Sequence, residues 1–155
     1  MIFLTPSIIQ LQVVGKSTNE FTSAAPSGGK LTLSDHSRSA LSISYEIIEN
    51  SQRMANGTMR KSIISKKKSF SCSWEMLPTV ETHVVDNNAH ALSMRDFYEK
   101  YCFLPMTLTL RHKKNGVVSP TYETYQVYWS GFNYDVIKRY NNFDYWNISA
   151  DFTEI

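Results

Sequence analysis

The fold is decided by residues 40–77, which read ALSISYEIIENSQRMANGTMRKSIISKKKSFSCSWEML. Both halves of this segment alternate apolar and polar side chains, the pattern of a β-strand with one buried face. The apolar positions are Leu41, Ile43, Tyr45 and Ile47 in the first half and Phe70, Cys72, Trp74 and Met76 in the second. Asn56 and Gly57 lie between the halves and are typical of a two-residue type I′ turn. The segment therefore predicts one long β-hairpin.

The predicted turn also sets the register of the hairpin. With Asn56 and Gly57 as the loop, Ile43 faces Phe70 across the two strands. Apolar side chains then meet on the same face, as an antiparallel pair with one buried side requires. A slip of one residue would set Ile43 against a serine, so the turn and the hydrophobic pattern support the same pairing.

The outer part of the hairpin, residues 48–68, is predicted to protrude as an arm. Residues 49–68 carry one acid, Glu49, and six basic residues, which are Arg53, Arg60, Lys61, Lys66, Lys67 and Lys68. The predicted register sets Arg53 opposite Arg60, and opposed like charges destabilise a ribbon that is marginal alone. It also sets Met54 opposite Met59, two adaptable apolar side chains near the tip.

This arm has two interpretations: a solvated surface hairpin, or an assembly arm that docks on another subunit. The second is favoured because contacts within the arm stabilise it little, whereas docking on a partner would stabilise it. The residues predicted to contact the other subunit are Arg53, Met54, Asn56, Gly57, Met59, Arg60 and Lys61.

Length and charge point to one domain with a local charge imbalance. The chain has 155 residues and a net charge of +2, so no global excess of positive charge indicates a nucleic-acid partner. Outside residues 49–68 there are ten basic and thirteen acidic residues. A basic arm on a mildly acidic body suits self-association. Neither a signal peptide nor a membrane-spanning helix is expected.

The remaining segments predict further strands and one helix. Residues 1–39 read as an extended N-terminal segment followed by a polar loop. Residues 94–102 predict a helix that Ser93 caps together with Asp96, because the apolar side chains recur at helical spacing. Later strands follow, with turns at 115–116 and 141–142 and a break at 130–131.

The predicted fold is mainly β: a β-sandwich or flattened barrel of about eight strands, with one packed α-helix and the long protruding hairpin. The residues expected in its core are Ile43, Phe70, Trp74, Phe97, Tyr101, Leu108 and Trp146. Cys72 and Cys102 are expected to be free, buried thiols rather than a disulfide.

No motif in the chain carries catalytic chemistry. The four histidines lack metal-ligand spacing, no nucleophile motif frames a serine, and no phosphate-binding glycine loop is present. We therefore expect no enzyme activity and no catalytic, metal or cofactor site. The run Lys66-Lys67-Lys68 has three interpretations: a solvated face, contact with an acidic protein surface, or contact with nucleic-acid phosphate.

Four segments resemble structural proteins of long-tailed bacteriophage tails, the tail-tube-like family. They are RMANGTMR at 53–60, FSCSWEMLP at 70–78, DFYEKY at 96–101 and YWNISADFTEI at 145–155. The resemblance covers roughly residues 40–155, and its motifs are strand patterns rather than catalytic signatures.

The resemblance implies a single tail-tube-like domain over 1–155 that assembles with itself into rings and stacked rings. It implies a virion protein, assembled in the host cytoplasm, that forms the conduit for genome delivery. The implied partners are other phage tail proteins, with DNA only as non-specific passing cargo and no membrane. Two alternatives stay open: a minor tail or head–tail adaptor protein, and, from another class, a nucleic-acid-binding β-domain.

Overall fold

A computed structural model describes residues 9–22, 26–35, 38–80, 88–111, 113–114, 117–118 and 122–155, the two short pairs by their backbone alone. The described residues form nine strands and one helix: β1 (Ile9–Val13), β2 (Lys30–Thr32), β3 (Ser42–Arg53), β4 (Met59–Pro78), α1 (Ala91–Tyr101), β5 (Met106–Leu110), β6 (Lys113–Lys114), β7 (Val117–Val118), β8 (Glu123–Arg139) and β9 (Asp144–Glu154).

Seven of these strands form one open antiparallel sheet in the order β2-β1-β5-β8-β9-β4-β3. The short strands β6 and β7 pair separately, on either side of the predicted turn at 115–116, which lies outside the described residues. The mainly-β fold with a packed helix is therefore confirmed. Because the sheet does not close, it has two edge strands, β2 and β3.

The core lies between α1 and one face of the sheet. Along β9 every second side chain is buried, as the alternation of apolar residues predicts. On the helix, Phe97 packs against Trp129 of β8 with ring centroids 6.2 Å apart. The buried residues among those expected in the core are Phe70, Trp74, Phe97, Tyr101, Leu108 and Trp146.

The expected burial of Ile43 is wrong. Its exposed fraction is 38%, and all twelve residues of β3 are exposed. The reason is the position of β3 at the edge of the sheet, three places away from β8, which the helix covers. Alternating apolar residues therefore mark a strand here without marking a buried face.

The helix begins three residues earlier than predicted. Ala91 is its first residue and His90 is the N-cap, with no capping side-chain hydrogen bond. Ser93 is not the cap; it is buried inside the helix, where its hydroxyl donates to the carbonyl oxygen of His90 over 2.9 Å. Asp96 pairs with Arg95 instead of completing a capping box. The apolar stripe itself faces the core as predicted.

The tip of the long hairpin has a three-residue loop, not the predicted two-residue turn. The Met54 N–H donates to the carbonyl oxygen of Thr58, and the Gly57 N–H donates to that of Met54. Gly57 has a φ of +85°, whereas Asn56 does not have the positive φ that a type I′ turn needs. A type I turn followed by a left-handed glycine fits these bonds.

The longer loop changes the register of the outer hairpin. Arg53 pairs with Met59, one residue away from the predicted partner Arg60. Ile64 is the extra residue of a β-bulge in β4, and below it the predicted register returns, with Ile43 opposite Phe70. The bulge offsets the change in register that the longer loop introduces. The predicted register of the inner hairpin is therefore confirmed, and that of the outer hairpin is wrong.

Strand β8 does not break at Ser130-Gly131 as predicted. It bulges there and continues to Arg139, where a short turn leads into β9. The Gly131 position favours glycine, because a Cβ there would lie 2.9 Å from the Asp151 carboxylate. The turn predicted at 141–142 is confirmed, since the Tyr140 N–H donates to the carbonyl oxygen of Phe143.

Candidate interaction surface on the projecting hairpin

The arm, residues 48–68, extends beyond its neighbouring strand. Strand β4 pairs with β9 only from Ser69 onward, whereas β3 pairs with β4 as far as Arg53. At the point where β9 ends, the Lys68 N–H donates to the carboxylate of Glu154 over 2.8 Å. Beyond Lys68 the two strands of the arm pair only with each other among the described residues.

The arm exposes apolar side chains along its length. Cross-strand pairing places Ile47 and Ile63 on the same face of the hairpin as the buried Phe70. The exposed apolar residues of the hairpin are Ile43, Tyr45, Ile47, Ile48, Met54, Met59, Ile63 and Ile64. Ile63 and Ile64 are 63% and 64% exposed. Apolar surface of this extent on a projecting ribbon is typical of an interaction site.

The lysine run is divided between the two faces of the hairpin. The ammonium groups of Lys66 and Lys68 lie 5.2 and 5.1 Å from the centre of the Tyr45 ring. Lys67 instead pairs with Glu46, a position whose side chain points to the opposite face. The three lysines therefore do not form one continuous basic patch, which weakens the nucleic-acid interpretation of the run.

A hydrogen-bonded chain holds the base of the arm to β8. The Lys68 ammonium donates to the Tyr125 hydroxyl over 2.7 Å, and that hydroxyl donates to Glu123 over 2.8 Å. The hydrogen bond to Tyr125 raises the pKa of Lys68. Burial is the main cause that raises the pKa of Tyr125, although Lys68 opposes it. Lys68 and Tyr125 are thus held in the protonated forms that these two hydrogen bonds require.

The seven predicted contact residues lie together on the outer arm. The Arg53 guanidinium donates to the Gly57 carbonyl oxygen over 3.1 Å, and the Asn56 side-chain oxygen accepts from the Thr58 N–H over 3.0 Å. The seven are Arg53, Met54, Asn56, Gly57, Met59, Arg60 and Lys61, and all are exposed. Their role in subunit contact stays a prediction.

Two features predicted from the outer register are absent. Arg60 lies opposite Gln52 rather than Arg53, so the expected repulsion between directly opposed arginines does not arise. Met54 lies opposite Thr58, next to the loop, and does not face Met59. Lys61 forms an ion pair with Glu49, with a distance of 2.8 Å between nitrogen and oxygen. Such a surface pair contributes little to stability.

Sequence reasoning missed a second exposed apolar surface at the opposite end of the sheet. It lies on the β8–β9 hairpin, and its exposed residues are Tyr134, Val136, Ile137 and Tyr140. One signal was available: Val136 and Ile137 are adjacent in the predicted strand, and regular alternation would expose one of the two. In the structure the register with β9 shifts between Val136 and Lys138, so alternation is interrupted at Ile137. Val136 lies opposite the buried Trp146 but is itself half exposed.

Two kinds of feature are relevant in the described part of the chain: clusters of metal ligands and membrane-spanning helices. No three His, Cys, Asp or Glu residues gather there as metal ligands would. No helix there has the length and apolar character needed to cross a membrane. Cys72 and Cys102 are both free thiols; Cys72 is buried as expected, whereas Cys102 is only partly buried. No sequence model of a known protein family matches the chain, and no curated protein matches it.

Proposed function

We propose that this chain is a non-enzymatic structural protein that self-assembles into the tail tube of a bacteriophage, the conduit for genome delivery. The observation that carries the proposal is the arm, which projects beyond β9 and exposes isoleucine and methionine side chains. The sequence resemblance to tail-tube-like proteins supports it and supplies the biological setting. A minor tail or head–tail adaptor role is the nearest alternative.

The energetics of the arm favour a partner. A two-stranded ribbon is marginal in water by itself, and this one exposes large apolar side chains on both faces. Removing such side chains from water is worth about 25 cal/mol for each Å² of apolar surface. The net positive charge of the arm and the acidic remainder of the chain have the signs that attract two copies to each other.

Electron microscopy of the purified protein tests the proposal. We expect rings or tubes that form above a threshold concentration. A matched variant in which residues 49–64 are replaced by a two-residue Asn-Gly turn should stay folded and monomeric, since the arm contributes no buried side chain to the core. Particles that stay monomeric at all concentrations would reject the proposal.

The nucleic-acid alternative predicts a different result with the same purified protein. A monomer that binds duplex DNA with a steep dependence on salt concentration would favour it. In that case replacing Lys66, Lys67 and Lys68 with alanine should flatten the salt dependence. We expect instead that the wild-type protein binds DNA weakly and without dependence on the lysine run.

A further inference from the structure

A groove with a polar lining lies on the face of the sheet that α1 does not cover. Trp74 of β4 and Ile148 of β9 point into the core, so their neighbours along each strand point to the other face. Cross-strand pairing places Ser149 between Ser73 and Asn133. The volume of the groove is about 180 Å³. The residues that line this polar groove with their side chains are Ser73 and Glu75 of β4, Asn147 and Ser149 of β9, and Asn133 and Asp135 of β8.

Several side chains of the polar groove have unused hydrogen-bonding capacity. In the described part of the chain, Glu75, Asn133 and Asp135 form no side-chain hydrogen bond or ion pair with another residue. The side-chain oxygen of Asn147 accepts a hydrogen bond from the Met76 N–H over 3.0 Å, which leaves the two N–H donors of the Asn147 amide for the groove. The groove therefore offers carboxylate acceptors and amide donors side by side.

Three aromatic rings lie at one end of the polar groove, around the turn between β8 and β9. The ring centroids of Tyr140, Phe143 and Tyr145 lie 5.2 to 5.6 Å from one another. Tyr145 precedes Asn147 by two residues in β9, so the two residues share a face and are separated by about 7 Å along the strand. Tyr140 is 50% exposed. The three rings therefore continue the groove with an apolar surface.

The combination of rings and polar groups matches the chemistry of a neutral sugar. Sugar hydroxyls donate to carboxylates and accept from amide N–H groups, and the groove contains both kinds of partner. The C–H groups on one face of a sugar ring carry partial positive charge and pack on the negative face of an aromatic ring. Neighbouring aromatic rings with a hydroxyl-binding groove beside them suit a chain of sugar units rather than a single sugar.

The charges around the polar groove disfavour the other polymers that bind to aromatic surfaces. The carboxylates of Glu75 and Asp135 would repel the phosphates of a nucleic acid. Lys138 lies opposite Tyr145 and adds a positive charge beside the rings, which opposes the binding of a lysine-rich peptide. An uncharged polymer meets neither of these repulsions.

We propose that the polar groove and the three rings bind a neutral polysaccharide. The rings stack on the sugar faces, the carboxylates of Glu75 and Asp135 accept hydrogen bonds from hydroxyls, and the Asn147 amide donates to a hydroxyl or ring oxygen. This activity goes beyond the proposed structural role and does not depend on self-assembly. The binding surface is separate from the arm, because the groove lies toward the opposite end of β4.

Immobilised oligosaccharides test the proposal with the full chain. The neutral probes are short chains of glucose, mannose, galactose or N-acetylglucosamine, and the charged probes are heparin and polygalacturonate. We expect binding to a neutral probe that persists at high salt, because the contact contains no ion pair that salt would screen. Heparin and polygalacturonate should not bind. Absence of binding to every neutral probe would overturn the proposal.

Two variants locate the binding surface. Tyr140→Ala removes an exposed ring and should weaken the affinity for the bound oligosaccharide about tenfold, as measured by isothermal titration calorimetry. Asp135→Asn replaces a charged acceptor with a neutral one of equal size and should weaken the affinity by a similar factor. The matched controls are Tyr128→Ala and Glu46→Gln, which change an exposed tyrosine and an exposed acid on the same face but outside the groove. Both controls should bind as the parent does.

Circular dichroism of each variant checks that it is folded. Equal affinities of the parent and folded Tyr140→Ala would show that the rings do not contact the sugar, and the proposal would be wrong. Binding of a lysine-rich peptide in place of the sugars, lost in Asp135→Asn, would also overturn it and would assign the groove to a basic protein segment. Either result leaves the proposed tube function standing, since none of the groove residues lies in the arm.

Discussion

Phe97 packs the helix against neighbouring aromatic rings of the core. Its side chain is fully buried, with ring centroids 5.4 Å from Phe21 and 5.0 Å from Tyr101. Phe97→Ala should lower the free energy of unfolding by about 3–5 kcal/mol, because it leaves a cavity among these rings. Urea denaturation measures the change. The control Phe103→Ala removes a side chain that is 89% exposed and should cost less than about 0.5 kcal/mol.

The Cys72 thiol makes stability sensitive to alkaline pH. Burial raises its pKa from 9.0 to about 12, so the folded chain keeps this proton after the unfolded chain has lost it. Its contribution is fully present below pH 9 and is lost as the pH rises toward 12. In Cys72→Ala the free energy of unfolding should fall less steeply between pH 9 and 11. Equal slopes in the two proteins would contradict this assignment.

At the scale of elements, β4 has a second irregularity near its end, where its register with β9 shifts between Trp74 and Leu77. One side chain of β9 supports it. Met76 has a φ of +56°, and its N–H donates to the side-chain oxygen of Asn147 over 3.0 Å. Asn147→Ala should destabilise the protein by about 1–3 kcal/mol, since it leaves a partly buried N–H without an acceptor. Asn147→Asp retains an acceptor oxygen and serves as the control. Thermal unfolding that ranks the two variants equally would argue against this role.

The arm is the element whose function is separable from folding. Met54 and Met59 are both exposed on the outer arm and contribute nothing to the core. Replacing both with serine should leave the free energy of unfolding of the monomer unchanged and should impair polymerisation, as followed by light scattering. Serine is small and polar, so the variant tests apolar contact directly. A double variant that polymerises like the parent would show that these methionines do not form the contact.

At the scale of the whole molecule, assembly should depend on salt through the charged arm. Replacing Arg53 and Arg60 with alanine should slow association and flatten its dependence on salt, because exposed charges act mainly on the encounter rate. The final extent of assembly should change less than the rate. Stopped-flow light scattering at several salt concentrations measures both. Unchanged kinetics would mean that the arginines lie outside the contact.

The sequence alone determined the positions of most strands, the helix stripe and the pairing of Ile43 with Phe70. These features depend on neighbours along the chain: alternation selects a strand, and helical spacing selects one face of α1. The core residues of β4, α1, β5 and β9 followed from the same patterns. The candidate contact residues were also placed together, because a hairpin brings its two strands to a common tip.

Only the tertiary structure decided which predicted faces are buried and how the outer arm pairs. Burial of β3 depends on strand order and on the position of the helix, and both result from contacts between residues distant in the chain. The loop of three residues and the bulge at Ile64 compensate for each other, so the inner pattern gave no sign of either. Patterns among neighbouring residues determine local geometry, whereas the order of the strands in the sheet determines which strands lie at an edge and which faces are exposed.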